Sequence, residues 1–322
     1  MNIFTFDDVA SLKISPKECY EWAVDAISHK SKAILPPKIS MKPRPGVFCN
    51  VMPSIIPAEF SPLGHSVGGV KIVTRYPERV PSLSSKILVF NADSGEELAL
   101  IDANWITAIR TGAVAAHTIR LFAKSDYRTI GIIGLGNTAR ASLLVLAETE
   151  SRRSFRVRLL RHKQQEESFM QRFADYGNIS FECVDSLEEL VQGSDVVLSA
   201  VTYAERDFCS DECFSEGVLV VPVHTLGFTN CDVFFDKVFA DDTGHVKHFK
   251  HFSEFRSFAE VSDVVNGKAP GREGNRDRIL AYNIGISLHD VNFTAHVLKR
   301  FADSGKTSAS IDMHDPSAKF WL

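Results

Sequence analysis

Apolar and polar residues follow two different patterns along the chain, and the pattern changes near residue 125. Before that point, short β-branched segments lie between turn-forming residues, which predicts antiparallel strands. The strands are expected at 70–74, 86–91 and 97–102, with a DSGE turn between the last two, a helix before them at 16–30 and a long helix after them at 103–123. Residues 36–69 are rich in Pro, Gly and Ser, so we expect loops and short strands there.

Beyond residue 125, predicted strands alternate with predicted helices at short intervals. The strands are expected at 129–133, 155–160, 179–184, 196–200, 218–223 and 238–240, with helices between them at 139–148, 164–176 and 186–192. This alternation is typical of parallel strands joined by right-handed crossovers, so it predicts an α/β fold with a doubly wound parallel sheet. A last amphipathic helix at 284–301 is expected to pack on the N-terminal part. We therefore predict a Rossmann domain over 125–289, and an α+β domain for substrate binding and dimerisation from 1–124 with 290–322.

Composition and charge exclude several classes of protein. Of 322 residues, 44% are hydrophobic and 24% are charged, which is typical of a globular chain long enough for two domains. With 36 basic and 40 acidic residues the net charge is −4, which argues against a dedicated nucleic-acid or membrane-surface binder. No apolar run approaches the ~20 residues that span a bilayer. The N-terminal MNIFTFDDVASLK lacks a signal-peptide pattern and the six cysteines form no C-x-x-C pair, so we expect a cytoplasmic protein with reduced thiols.

The strongest local motif is TIGIIGLGNTARASLLVL at 129–146, in which a β-branched strand leads into a G-x-G-x-x-A turn and then a helix. Gly134 permits the tight turn, Gly136 lets a pyrophosphate approach the backbone, and Ala139 lets the helix pack on the strand. The helix N-terminus offers N–H groups to phosphates. A glycine-rich turn in some other α/β protein is the alternative. The candidate cofactor-binding residues here are Gly134, Gly136, Asn137, Thr138 and Ala139.

The end of the second strand bears on which dinucleotide would bind. NAD-preferring sites place a carboxylate there for the ribose 2′-hydroxyl, whereas this strand ends in Arg161-His162-Lys163 with no carboxylate before Glu166. Cations attract a 2′-phosphate, so Arg161 favours NADP over NAD. The alternative is that these cations simply begin a solvated helix face.

Four separated segments are similar to the ornithine cyclodeaminase/mu-crystallin family. They are GVKIVTRYPERVP, SGEELALIDANWITAIRTGAVAAHTI, GLGNTA and GREGNRDRILAYNIGISLHD. The resemblance implies a homodimer of two-domain subunits, with a small amino-acid or imino-acid substrate in a cleft facing the nicotinamide. Members of the family include ornithine cyclodeaminases, alanine dehydrogenases, cyclic ketimine reductases and a ketimine-reducing crystallin.

The resemblance also implies roles for single residues. Lys71 matches the family's active-site lysine; in a closed cleft its pKa would be lowered and it would exchange protons with an amine or imine. Arg110 matches the arginine that holds the substrate carboxylate, and Thr111 after it is expected near the cofactor phosphates. Lys38 stands where the family commonly has another carboxylate-binding arginine, and lysine keeps the charge but loses the planar fork. Met52 fits a pocket wall or plain core packing.

The sequence departs from the family downstream. Cyclodeaminases carry G-[AGS]-D, whose aspartate is thought to handle protons on the substrate amine, whereas this chain has Gly227-Phe228-Thr229. The threonine hydroxyl does not ionise at neutral pH. Asp232 is a candidate catalytic replacement, or it only caps a turn. The departure favours hydride transfer to an imine, which needs less amine activation than cyclodeamination.

Three further residues lie at or just after the ends of predicted sheet strands, where ligands usually bind. We predict cofactor contacts for Ala200, Thr202 and His224, and for His224 a hydrogen-bonded structural role is the alternative. The histidines of TGHVKHFKHF are spaced by three and do not converge on one ion in a helix or a strand, so we expect no metal site.

Together these features predict an oxidoreductase that uses NADP or NAD and transfers a hydride between the nicotinamide and the α-carbon of a small amino acid or its imine. One alternative is an ornithine cyclodeaminase-type ammonia lyase that uses NAD catalytically. Another is a crystallin-like protein that binds NADPH and a small ligand without turnover. The sequence leaves the substrate side chain and the direction of the reaction open.

Overall fold

The computed structural model describes residues 1–201, 209–224, 232–312 and 319. Contacts divide the chain into two compact units. Unit 1 comprises Met1–Lys13, Lys32–Ile106 and Asp290–Leu322, and unit 2 comprises Ile14–Ser31 and Thr107–His289. No helix within the described ranges is both long and apolar enough to cross a membrane.

Unit 1 contains a seven-stranded sheet. Its strands in chain order are β1 (Asn2–Phe4), β2 (Ile39–Met41), β3 (Phe48–Ile56), β4 (Val67–Arg75), β5 (Leu83–Asn91), β6 (Glu97–Asp102) and β15 (Ala309–Ser310). They lie in the order β15-β1-β6-β5-β4-β3-β2, antiparallel except for the β1–β6 pair. The helices of this unit are α1 (Phe6–Ala10), the beginning of α3 (Asn104–Phe122) and most of α9 (Ser287–Asp303).

Helix α9 packs on the sheet of unit 1. A β-carbon built on Gly69 of β4 would lie 2.8 Å from a methyl group of Val291, so the glycine allows the helix to approach. At the other end of the helix, the rings of Phe301 and Phe4 meet edge to face at 4.7 Å. The face of β4 and β5 beneath the helix is therefore buried.

Strand β3 is longer than the Pro-rich sequence of residues 36–69 suggested. It contains Pro53, which pairs with Val70 of β4. The Ile55 N–H donates to the Ile34 carbonyl, which lies on the side of β3 away from β4. Backbone nitrogens two residues apart point to the same side of a strand, so the Pro53 nitrogen also faces away from β4. Strand β2 pairs with β3 only over residues 49–51, so Pro53 interrupts no ladder there.

Unit 2 contains an eight-stranded sheet whose strands are all parallel among the described residues. The strands are β7 (Thr129–Ile133), β8 (Phe155–Leu160), β9 (Ile179–Val184), β10 (Val196–Ser199), β11 (Leu219–Pro222), β12 (Lys237–Ala240), β13 (Phe258–Glu260) and β14 (Ile279–Tyr282). Their order is β13-β12-β14-β11-β10-β7-β8-β9. The order reverses direction at β7, as in a doubly wound fold, which confirms the predicted fold class.

The helices of unit 2 lie around this sheet. They are α2 (Pro16–Ser28), the rest of α3, α4 (Asn137–Thr149), α5 (Gln165–Gln171), α6 (Leu187–Gln192), α7 (Thr243–Val246) and α8 (Val261–Val265). The predicted domain limits placed residues 14–31 and 107–124 with the N-terminal domain. In the structure they group with unit 2, because α2 packs on α4 and α8 and because α3 crosses α4 closely at Gly112.

Several elements differ from the sequence prediction. Strands β13 and β14 were not predicted, and the short β14 lies between β11 and β12. The last helix begins at Ser287 rather than at 284, because Gly285 has a left-handed φ of +89°. Helix α5 is shorter than 164–176, since Lys163 and Gln164 are left-handed before it and residues 172–175 form turns.

Candidate active site

The glycine turn lies at the point where the strand order of unit 2 reverses. Gly134 follows β7 with a φ of +83°, and a β-carbon there would lie 2.8 Å from the Ala200 carbonyl oxygen, so only glycine fits. Gly136 is the N-cap of α4, and no described atom lies within 4 Å of the position its β-carbon would take. Ala139 is fully buried against the sheet. The turn thus leaves the α4 N-terminus open to an anionic ligand.

Helix α3 passes close to the beginning of α4. A β-carbon on Gly112 would lie 2.7 Å from both the Ala141 oxygen and the Ser142 nitrogen, so a side chain there would separate the two helices. The hydroxyl of the adjacent Thr111 donates to the Thr107 carbonyl at 2.7 Å. The predicted contact of Thr111 with the cofactor phosphates stays a prediction.

The carboxyl ends of β10 and β11 bring together a serine and a histidine. A hydrogen bond of 3.0 Å joins the Ser199 hydroxyl to His224 Nε2, and both side chains are buried. The Ala200 N–H donates to the Ile133 carbonyl at 2.7 Å, which holds this edge of the sheet beside the glycine turn. Ser199 was not singled out in the sequence. Thr202 and the 227–229 motif lie outside the described residues.

Arg161 lies immediately after β8, and 53% of its side-chain surface is exposed. It forms ion pairs with Asp185 at 3.1 Å and with Glu166 at 3.8 Å. Exposed ion pairs contribute little free energy, so a doubly charged phosphate would compete well for this guanidinium. Arg161 stays a candidate for the ribose 2′-phosphate.

In unit 1, Lys71 forms a fully buried ion pair. Its Nζ lies 2.6 Å from Asp290 Oδ2, and the two side chains are 1% and 0% exposed. Burial favours the neutral amine of a lysine, whereas a nearby carboxylate favours the ammonium form. Asp290 therefore opposes the loss of the Lys71 proton that burial alone would favour. Asp290 was not predicted as a site residue. It is fully buried in α9 together with Thr294 and Val297, and a carboxylate at helical spacing among residues of a buried face was the signal for it.

Lys71 belongs to a row of residues across the sheet of unit 1. It pairs directly with Met52 of β3, which is buried. Lys38 directly precedes Ile39, which begins β2 and pairs with Val51. Cross-strand pairs point to the same face of a sheet. Met52 and Lys71 therefore share the face that carries the buried ion pair, and the role expected of Lys38 stays a prediction.

Arg110 and Asp232 are both buried in unit 2. The Arg110 guanidinium lies against the backbone of Gly285, where a β-carbon would be 2.9 Å from Nη1. Asp232 accepts a hydrogen bond of 2.5 Å from the Tyr282 hydroxyl, and both of these residues are almost fully buried. The suggested catalytic role of Asp232 stays a prediction. In the described part of the chain, no group of three or more His, Cys, Asp or Glu side chains is arranged to hold a metal ion.

A parallel sheet with a glycine turn at its switch point defines a Rossmann-type protein, here with a second unit that buries a lysine–carboxylate pair. The chain belongs to the ornithine cyclodeaminase/mu-crystallin family, whose sequence profile matches residues 3–305. This match confirms the predicted family.

Individual relatives agree with this assignment. The nodulation efficiency protein NfeD of Rhizobium meliloti is 26% identical over 275 residues, which cover 80% of this chain and 81% of that protein. The Δ(1)-pyrroline-2-carboxylate reductase of Bacillus cereus is 24% identical over 280 residues, 79% of this chain and 82% of that protein. The structure of Thermococcus litoralis Δ(1)-pyrroline-2-carboxylate reductase in complex with NADH and L-proline matches with a TM-score of 0.82 and 24% identity, covering 97% of this chain and 100% of that one.

Proposed function

We propose that this chain is an NAD(P)-dependent oxidoreductase that transfers a hydride between the nicotinamide and the α-carbon of a small amino acid or its imine. The observation that carries the proposal is the glycine turn at the switch point of unit 2, with its open helix N-terminus. Relatives named as Δ(1)-pyrroline-2-carboxylate reductases make a cyclic imino acid the first substrate to test.

In this proposal the chain's own residues bind the substrate and supply the proton. Arg110, with Lys38, binds the substrate carboxylate and so fixes the α-carbon. A reduced nicotinamide dinucleotide held at the glycine turn after β7 would supply the hydride. As the C=N bond is reduced, its nitrogen gains electron density and takes a proton from the Lys71 ammonium. Asp290 keeps Lys71 protonated before this transfer and holds its Nζ in place.

A cyclodeaminase is the second candidate, because Asp232 provides a buried carboxylate three residues after Thr229. Two features favour the oxidoreductase. Thr229 cannot serve as a base, and the Asp232 carboxylate already accepts the Tyr282 hydroxyl.

One assay separates the functions. The purified protein would be mixed with NADPH or NADH and Δ(1)-pyrroline-2-carboxylate or Δ(1)-piperideine-2-carboxylate, and oxidation of the cofactor followed by absorbance at ~340 nm. L-proline, L-alanine and L-ornithine with the oxidised cofactors test the reverse reaction, with ammonia measured in parallel. Net cofactor turnover supports the oxidoreductase. Ammonia and a cyclic product without net turnover would establish the cyclodeaminase, and saturable binding with neither would establish a binding protein.

We further propose that unit 1 binds a second copy of the chain through the outer face of its sheet. Ile39, Ile72 and Leu88 are large apolar residues exposed on this face, opposite to Lys71. Ile39 and Ile72 both pair with Val51, so they form a continuous apolar row across β2, β3 and β4. A contiguous apolar patch of this kind is typical of a protein interface.

A further inference from the structure

The Arg110 guanidinium packs against a glycine in an unusual backbone conformation. Gly285 has a φ of +89°, and a β-carbon there would lie 2.9 Å from Nη1 and 3.3 Å from Nη2 of Arg110. Both terminal nitrogens, which are the atoms that bind a carboxylate bidentately, thus lie against this one residue. The position of Gly285 therefore limits where the guanidinium can lie.

A buried carboxylate holds Gly285 in place. Asp241 follows β12 and is 1% exposed, and its Oδ2 accepts the Gly285 N–H at 2.6 Å. The Asp241 N–H in turn donates to the Tyr282 carbonyl at 3.1 Å. A carboxylate that accepts a backbone N–H makes a stronger hydrogen bond than a neutral acceptor.

The segment before Gly285 is fixed in the same way. The Asn283 N–H donates to the Pro222 carbonyl at 2.8 Å, and its side-chain amide donates to the Thr118 hydroxyl at 3.1 Å. Thr118 lies on α3, two turns after Arg110. Residues 283–285 are thereby held between the strand ends of the sheet and the helix that carries the guanidinium.

We propose that Asp241 is a positioning residue for substrate binding: through the Gly285 amide it fixes the backbone against which Arg110 is oriented toward the substrate carboxylate. The proposal rests on the proposed function, in which Arg110 binds that carboxylate. Bidentate binding requires both nitrogens at fixed positions, so a small displacement of Gly285 weakens it.

The test uses the full-length protein saturated with NADPH, or with NADH if the protein uses NADH. Pyrrole-2-carboxylate is the probe, and pyrrole-2-carboxamide shows how much of the affinity depends on the negative charge. We expect Asp241→Asn and Gly285→Ala each to weaken binding of the carboxylate about tenfold, the effect of one impaired charge-assisted hydrogen bond. Carboxamide and cofactor affinities should change less than about twofold. The control is Asp242→Asn, which alters the neighbouring carboxylate that pairs with Lys30 at 2.8 Å, and should leave carboxylate affinity unchanged.

A double-mutant cycle with Arg110→Met decides whether Asp241 acts through the guanidinium. If it does, Asp241→Asn changes carboxylate affinity less than about twofold once Arg110 is absent. A tenfold effect that persists there, or an equal loss of cofactor affinity, would overturn the proposal. If Asp241→Asn does not fold, Asp241→Glu, which keeps the carboxylate but displaces it, completes the same cycle. If Arg110→Met weakens the binding of pyrrole-2-carboxylate but neither positioning variant does, only the proposal for Asp241 fails. If Arg110→Met itself has no effect, the carboxylate role of Arg110 in the proposed function fails as well.

Discussion

Lys71 and Asp290 are two opposite charges that the sheet and helix of unit 1 remove from water together. A buried ion pair rarely stabilises a fold more than apolar residues of the same size would. The pair between β4 and α9 therefore indicates a chemical role, which agrees with the proton transfer that we propose for Lys71.

The Lys71→Met variant tests this role. We expect kcat for imine reduction to fall about a hundredfold or more, the usual contribution of a positioned proton donor, with cofactor affinity unchanged. Steady-state kinetics and cofactor titration measure the two effects. The matched control is Lys86→Met, which removes an exposed lysine from the adjacent strand, where it pairs with Asp102 at 2.8 Å. Normal turnover by the Lys71 variant would remove this lysine from the mechanism.

We propose that Arg161 gives the protein a preference for NADP over NAD. We expect Arg161→Ser to lower kcat/KM for NADPH at least about tenfold, because a charge-assisted contact to the 2′-phosphate is lost, and to leave NADH nearly unaffected. Arg156→Ser serves as the control, since this exposed arginine lies at the opposite end of the same strand. Equal losses with both cofactors, or a wild-type preference for NADH, would contradict the assignment.

Among single residues, the sequence indicated those whose conformation is set locally, whereas it did not reveal which distant partners the buried charges contact. Gly134 and Gly136 could be identified because a turn between a strand and a helix is encoded in a few adjacent residues. Asp290 and Asp241 contact Lys71 and Gly285, which are far from them in sequence. Only the folded chain brings such pairs together, so a pattern read along the sequence does not reveal them.

At the scale of elements, helix α3 buries a histidine whose protonation is coupled to folding. Burial, with a smaller contribution from the charge of Arg120, lowers the pKa of His117 from its ordinary value near 6.5 to about 4. Its Nδ1 is hydrogen-bonded to the Tyr20 hydroxyl of α2 at 3.3 Å. The folded protein thus keeps this imidazole neutral over a pH range in which the unfolded chain binds a proton.

The sign of the effect follows from this difference. The contribution of His117 to stability is complete above pH ~6.5 and is lost as the pH falls toward ~4, because the unfolded state binds the extra proton. We expect His117→Gln to reduce the slope of unfolding free energy against pH between these values by about 1 kcal/mol per pH unit. Denaturant unfolding at several pH values measures the slope. His248→Gln, at an exposed histidine, should leave it unchanged, and an unaltered slope in the His117 variant would refute the coupling.

The predicted elements were most accurate where their apolar pattern was long and regular. The alternation from β7 to β10 was found because each strand is a buried apolar run between clear turns. Strand β14 was missed because ILAY is only four residues long and follows a charged loop. The length of strand β3 was underestimated because Pro53 normally argues against a strand, and its position beside the short β2 makes it acceptable.

At the scale of the whole molecule, the exposed apolar row on unit 1 predicts association. We expect the wild-type protein to be a dimer and Ile72→Lys to be a monomer, because a lysine in place of Ile72 would add a second charge beside Lys86 to the buried interface. Light scattering after size-exclusion chromatography measures both masses. Val80→Lys is the control, since Val80 is fully exposed but lies outside the sheet. A dimer that persists in the Ile72 variant would place the interface elsewhere.

Unit 1 consists of three separate stretches of chain, and this division determines which unit can fold first during synthesis on the ribosome. All strands of the unit 2 sheet have been synthesised by Tyr282, so that sheet can assemble before translation ends. Lys71 emerges early, but its carboxylate partner belongs to the last stretch, which begins at Asp290. Until that stretch leaves the exit tunnel, the lysine cannot be buried as an ion pair. A nascent chain stalled before α9 would therefore expose the inner face of the unit 1 sheet to chaperones and proteases.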